Sequence, residues 1–312
     1  MPDGSTSIVL RVNFGGTQKN TYCSRLYLKN EYICGRNVVN MDRKNYKIRD
    51  WILELPRKGR VIFSMDELFD QFPAHNKHTI SSAVGRLVEK KKIQSVWHGY
   101  YVVVPVEYEL KGIVPPLVYI DRLMSYLQRD YYIGLLNAAV FYGAAHQQPQ
   151  EFTIITDKKN FRDKFKNGVK INFVSKKIIP VSFTKKFTTK TGYVSVSNPE
   201  LTALDLIVHQ KEIGGLNRAG TVLYELAEEM NFDCISHDFL KLFPITAIQR
   251  LGYLLDCVLE YSDLASSLLK KTQEAGIKFR NTPLKPEIEQ DGDYERNEKW
   301  KIIINDEIEI DE

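Results

Sequence analysis

The 312-residue chain is 43% apolar and 26% charged, which excludes the collagen-like, low-complexity and wholly disordered classes and predicts about two domains. Its longest strongly apolar run, residues 131–145, is interrupted by Asn137 and falls short of the roughly twenty residues a membrane span needs. The apolar patch at residues 8–12 lacks the length and cleavage site of a secretory signal, so no membrane association and a cytoplasmic address are expected.

Net charge is only +4 but unevenly spread. Residues 157–192 hold eleven Lys/Arg against Asp157 and Asp163, whereas residues 287–312 hold eleven acids against Arg296, Lys299 and Lys301. The two stretches could attract one another, the basic one could meet a polyanion, or both could be solvated faces. Cys23, Cys34, Cys234 and Cys257 show neither C-x-x-C spacing nor a histidine at ligand distance, and read as reduced, structural thiols with no metal.

In chain order, residues 1–45 read as a poorly ordered extension without sustained periodicity. Helical period begins just after Met41, which points to Met41 as the biological start and to an upstream reading-frame extension. A helix at 47–55 stops at Pro56, and Lys58-Gly59-Arg60 turns into a β run at 61–63. Ser64 with Glu67 three residues on has capping-box spacing and starts a second helix that ends by Pro73. A third helix spans 76 to about 91, followed by β runs at 94–97 and 100–104 joined at His98-Gly99. Helix, strand, helix, turn, helix, hairpin is the order of a winged helix-turn-helix.

On a helical wheel Ile80, Val84, Leu87 and Val88 share one sector and face the core, while His78, Ser81, Ser82, Gly85, Arg86 and Glu89 face outward. Short hydroxyl side chains with one arginine suit a major groove, where arginine pairs bidentately with guanine. Lys90, Lys91 and Lys92 at the helix end and the wing tip His98-Gly99-Tyr100 would meet phosphates. Glu89 argues against contact along the whole face, and a protein-interaction module is the competing use of this fold.

Residues 117–128 and 132–145 read as two helices, the second rich in small residues. The polar block His146-Gln147-Gln148-Pro149-Gln150 either caps that helix or forms a binding site. Strands follow at 152–155, 169–174, 178–183 and around 193–196. Asn198-Pro199-Glu200 starts a helix with Asn as cap and Pro at its first position. Asp205 and His209, four apart on it, read as a structural pair, and Glu228-Glu229 as a solvated face. Further helices are expected at 217–230, 237–243, 246–260 and 262–275, and a terminal hairpin around Asn305-Asp306. The fold class is therefore α+β: a winged helix-turn-helix at 46–108 and a larger mixed α/β domain at 109–312. Phosphate-loop, dinucleotide, metalloprotease and nucleophile-elbow motifs are all missing, so no catalytic residue and no cofactor is assigned.

Several runs resemble the AbiEi family, the antitoxins of abortive-infection toxin–antitoxin systems. They are Gly99-Tyr100-Tyr101-Val102-Val103-Val104-Pro105, Tyr131-Tyr132-Ile133-Gly134-Leu135-Leu136-Asn137-Ala138-Ala139 and the most specific, Gly143-Ala144-Ala145-His146-Gln147-Gln148-Pro149-Gln150. Asn198 to Leu206, Arg250-Leu251-Gly252-Tyr253-Leu254-Leu255 and the ending from Trp300 to Asp311 look alike too. The resemblance, over about residues 46–312, implies a winged helix that binds operator repeats in double-stranded promoter DNA and represses its own operon. It implies a C-terminal domain that counters a nucleotidyltransferase-type toxin without a stable complex. DNA contact then falls on Lys77, His78, Thr79, Ser81, Ser82, Arg86, Lys90 and Lys91 of the third helix and on His98 and Tyr100 of the wing. Lys176, Lys177, Lys185 and Lys186 form a second basic surface. The competing classes are a ligand-responsive regulator with no toxin partner and a metal-dependent DNA nuclease.

Overall fold

The computed structural model describes residues 47–145, 149–157, 164–166, 168–288 and 292–310. The proposed extension, Met41 and Cys23 and Cys34 lie outside them.

Helix α1 (Ile48–Glu54) leads through a 3-10 turn to Gly59, whose φ of 70° closes it. Strand β1 (Ile62–Ser64) runs straight into α2 (Met65–Gln71), where the Ser64 hydroxyl accepts the Glu67 N–H at 3.1 Å. The Glu67 carboxylate does not complete the box; it takes two hydrogen bonds of 2.8 Å from Arg60 instead. Helix α3 (Lys77–Glu89) is followed by β2 (Ile93–Trp97) and β3 (Tyr100–Val103). The three strands form an antiparallel sheet in the order β1-β3-β2.

Strand alternation decides what this small sheet joins. Phe63, Ile93 and Val103 pack with Ile52, Ile80, Val84 and Leu87 of α1 and α3. Ile62, Val96, Tyr100 and Val102 point the other way, into a core shared with Ile133, Ile154, Ile171, Val194 and Val196 of a larger sheet.

That larger sheet has six strands in the order β6-β7-β5-β4-β9-β8. Its members are β4 (Tyr131–Ile133), β5 (Glu151–Thr156), β6 (Lys164–Lys166), β7 (Val169–Ser175), β8 (Thr184–Thr189) and β9 (Gly192–Ser197). Between β3 and β4 lies α4 (Ile120–Tyr126), and α5 (Leu135–Phe141) follows β4. The pairs β5–β7 and β4–β9 are parallel, and the rest antiparallel. Tyr132 and Ile155, cross-strand partners, face a helical layer built on α6 (Pro199–Val208), α8 (Leu216–Leu226), α10 (Ile245–Tyr253) and α11 (Ser262–Glu274). Short helices α7 (Gln210–Ile213) and α9 (His237–Leu240) connect them. The order through residues 48–310 is helices, small sheet, large sheet, helices.

Three sequence expectations fail here. Tyr131–Ile133 is a central strand, not the start of a helix, because a strand buried on both faces shows no period. Residues 178–183 hold a 3-10 turn, and the strand lies at Thr184–Thr189. The terminal hairpin does not form: β12 (Ile302–Ile303) pairs in parallel with β10 (Thr282–Pro283) and antiparallel with β11 (Arg296–Asn297), so it is held by segments upstream.

The closing segment is pinned by two glycines. A Cβ on Gly252 of α10 would lie 2.0 Å from the Trp300 ring, and one on Gly220 of α8 2.6 Å from Ile310 Cδ1. Trp300 is fully buried and donates from Nε1 to Asp256 at 2.9 Å. Gln249 donates to the carbonyls of Arg280 and Trp300, and Arg250 to that of Pro283. None of the described helices is long and apolar enough to cross a membrane.

Candidate nucleic-acid interface

Helix α3 begins at Asn76, whose Oδ1 accepts the Thr79 N–H at 2.6 Å. Ile80, Val84 and Leu87 are buried as the wheel requires, but Val88 is 37% exposed at the margin of the apolar sector. The outward face presents His78, Thr79, Ser81, Gly85, Arg86 and Glu89, with Ser82 half-buried. Lys77 lies 5.4 Å over the Phe69 ring. Lys90 and Lys91 are exposed at the helix end, where Lys91 has a φ of 53°. Lys92 is paired with Glu109 at 2.9 Å.

At the wing turn His98 is exposed, and Gly99 takes a φ of 70° that favours glycine. The Gly99 carbonyl accepts the Met65 N–H at 2.8 Å, tying the turn to the start of α2. Tyr100 departs from the expectation. It is 5% exposed, packed 4.6 Å from the Tyr126 ring, with its hydroxyl pushed above the usual tyrosine range by burial. Period 2 turns it inward, so it does not serve as a phosphate contact.

The four lysines expected to form one basic surface have different surroundings. Lys177 is exposed, the Lys185 ammonium lies 5.5 Å over the Tyr142 ring, and Lys186 lines a cleft beside α4. Lys176 is not a surface residue: its side chain is 13% exposed and its ammonium donates to Asp205 Oδ1 at 2.7 Å. Asp205, 1% exposed, also accepts from the Tyr132 hydroxyl at 2.7 Å. The Phe243 ring covers the ammonium at 4.2 Å. Burial first and the Asp205 charge second push the Tyr132 hydroxyl far above the ordinary tyrosine range. The expected Asp205–His209 pair is therefore not made; the His209 ring faces Glu212 at 3.6 Å.

Sequence reading missed this cluster, although one signal was available. Asp205 lies among Leu201, Ala203, Leu204, Leu206 and Ile207, all buried, and a buried acid needs a cation. The cluster ties the end of β7 to α6 and β4.

Of the Gly143–Gln150 motif, Gly143 ends the α5 turn with a φ of 74°, and Ala144 is buried, its N–H bonded to the Ala139 carbonyl. Pro149 is half-buried, and His146, Gln147 and Gln148 lie outside the described residues. The acidic tail has local partners: Asp306 pairs with Lys285 and Glu287 with Lys211. Glu228 and Glu229 are exposed, as are the free thiols Cys234 and Cys257, which are therefore not core packing groups. Among the described residues no group of three or more His, Cys, Asp or Glu side chains is arranged to hold a metal.

The fold is a mixed α+β one, with a buried ion-pair cluster joining sheet to helices and a cationic helix on the opposite outer layer. Residues 132–257, from the second residue of β4 to the turn after α10, match the family model of the AbiEi antitoxin C-terminal domain. The RV2827C protein from Mycobacterium tuberculosis, known from a crystal structure, is similar in fold. The likeness has a TM-score of 0.58 and 13% identity, and covers 81% of this chain and 89% of that one. No curated protein matches the chain.

Proposed function

We propose that this protein is the antitoxin of an abortive-infection toxin–antitoxin pair and that it represses its own operon by binding promoter DNA. The observation that carries the reading is the match of residues 132–257 to the AbiEi antitoxin C-terminal domain. Its toxin, by family resemblance, is of nucleotidyltransferase type and is opposed without a stable complex.

The DNA-binding half of the proposal rests on residues 48–104. Their order of helix, strand, two helices and a two-stranded hairpin is that of a winged helix-turn-helix, with α3 as recognition helix and His98-Gly99 as wing tip. Arg86 and the small side chains of Ser81 and Gly85 support close approach to base edges, and Lys90, Lys91 and His98 support phosphate contact. Tyr100 and Lys176 are left out because both are buried against protein.

A growth assay tests both halves. The adjacent gene is expressed alone, with the full chain, and with the full chain carrying Arg86→Ala, Lys90→Ala and Lys91→Ala. A toxic neighbour rescued by both versions, with operator repression lost only in the variant, is the expected outcome. A harmless neighbour removes the antitoxin reading, and unchanged operator binding in the variant removes α3 as the reading head.

A further inference from the structure

Most cations around α4 are matched by acids. Arg60 is held by Glu67, Arg129 faces Asp157 at 3.9 Å and Lys190 faces Glu107 at 3.3 Å. Among the described residues no carboxylate pairs with Arg122 or Lys186, and both side chains are exposed. These two cations line the same recess, of about 230 Å3, between α4 and the β8–β9 hairpin.

The recess holds one carboxylate, Asp121, which already accepts from the Tyr131 hydroxyl at 3.0 Å. Two cations against one acid leave a local excess of positive charge. The Thr191 hydroxyl is spent on the Val118 carbonyl at 2.7 Å and the Thr189 hydroxyl on the Gly192 carbonyl at 3.2 Å, which leaves Ser125, Tyr193 and Ser195 as the other hydroxyl residues of the wall, Tyr193 being 59% exposed. A guanidinium fork, an ammonium and neighbouring hydroxyls are the donor set a phosphate group takes, since guanidinium presents paired N–H groups to two of its oxygens.

A second recess of about 370 Å3, running along β1, adjoins the first and shares Arg122, Ser125 and Thr191 with it. Its cation Arg60 is neutralised by Glu67, and its wall includes Tyr126, 40% exposed. The first recess alone is small for an organic ligand, but the two together fall in the usual range of about 300–1,000 Å3. The smaller has the charge for an anionic head, and the larger has an aromatic wall on which a planar group stacks.

We propose that the cleft between α4 and the β8–β9 hairpin, with Arg122 and Lys186 as its cations, is a phosphate-binding site for a phosphorylated small molecule of nucleotide size. The same donors would also take a backbone phosphate of nucleic acid, and the test separates the two. It is independent of the antitoxin reading.

The test uses the full chain, without DNA, titrated with pyrophosphate and with ATP by calorimetry, as wild type, Arg122→Gln and Lys186→Gln. Both substitutions are at exposed side chains, and equal unfolding midpoints check that the fold is kept. Duplex binding is then measured against salt for the same three proteins. The expected result is saturable binding of both probes, weakened at least tenfold in each variant, with the salt slope of duplex binding unchanged. Absence of probe binding together with a slope reduced by about one per variant overturns the small-molecule ligand and gives the cleft to nucleic acid. Unchanged behaviour of both variants in both measurements overturns the phosphate site altogether.

Discussion

Asp205 and Lys176 form a charged pair against a largely apolar core, and its worth lies in what its breakage would leave behind. Two ions are costly to desolvate, so the pair adds little over apolar residues of similar shape, but either ion alone is buried without compensation. Lys176→Met is expected to lower the unfolding free energy by about 3–5 kcal/mol, read as a shift in the urea midpoint. The double variant Lys176→Met with Asp205→Leu should recover most of that loss; a double variant as unstable as the single one would contradict the account. Lysine identity was legible in the sequence, its surroundings were not. Lys176 and Lys177 are neighbours in one basic run, yet one is covered by Phe243 and the other is in solvent. Nothing in their order says where the strand end enters the core.

At the scale of elements, glycines give a sharp contrast. Gly252 on α10 has no room for a methyl group, because the Trp300 ring occupies its place at 2.0 Å. Gly252→Ala must displace a fully buried tryptophan and is expected to cost about 1–3 kcal/mol through overpacking. Gly85 on α3 has nothing within 4 Å of its would-be Cβ, so Gly85→Ala should stabilise by about 0.4–1 kcal/mol by restricting the unfolded chain. Thermal unfolding of both variants checks the pair, and equal shifts would refute the packing argument. Two helix caps were readable in advance, because Ser64 and Asn198 act on N–H groups three residues away. The terminal strands were not, since β12 finds its partners at residues 282–283 and 296–297 and not across the nearest turn. Capping is a local interaction, whereas strand pairing at a chain end is set by whatever edge is free.

At the scale of the whole molecule, the shared core between the two sheets makes the domain boundary at residue 108 a poor place to cut. Residues 109–312 alone would expose Ile133, Ile154, Ile171, Val194 and Val196, which Ile62, Val96, Tyr100 and Val102 now cover. Such a fragment is expected to be insoluble or to bind hydrophobic dyes, and a cooperative, soluble fragment would show that the small sheet is dispensable. Acid should also weaken the fold. Burial alone would raise the Asp256 carboxyl, but hydrogen bonds from Lys299 and Trp300 outweigh it and hold it below its ordinary 3.8. Hydrogen bonds from Lys170 and Asn172 lower Glu151 from 4.5, and one from Lys285 lowers Asp306. Groups depressed in the folded chain contribute stability that is complete above their unfolded values and is lost as pH falls through their folded ones. The urea midpoint is therefore expected to hold from neutral pH to about 5 and to fall below about 4.5; a midpoint that rises on acidification would contradict this.

The sequence by itself determined what depends on neighbours along the chain. Three helices and a hairpin near the N-terminal end of the described residues, the core face of α3 and the caps at Ser64 and Asn198 all follow from spacing or short runs of residue types. The tertiary structure alone decided that Tyr100 faces inward, that Lys176 belongs to Asp205, that Tyr131–Ile133 is a central strand, and that Arg122 and Lys186 share a cleft. Each of these depends on contacts between residues far apart in sequence, made when two sheets close on one another, and periodicity carries no record of such contacts.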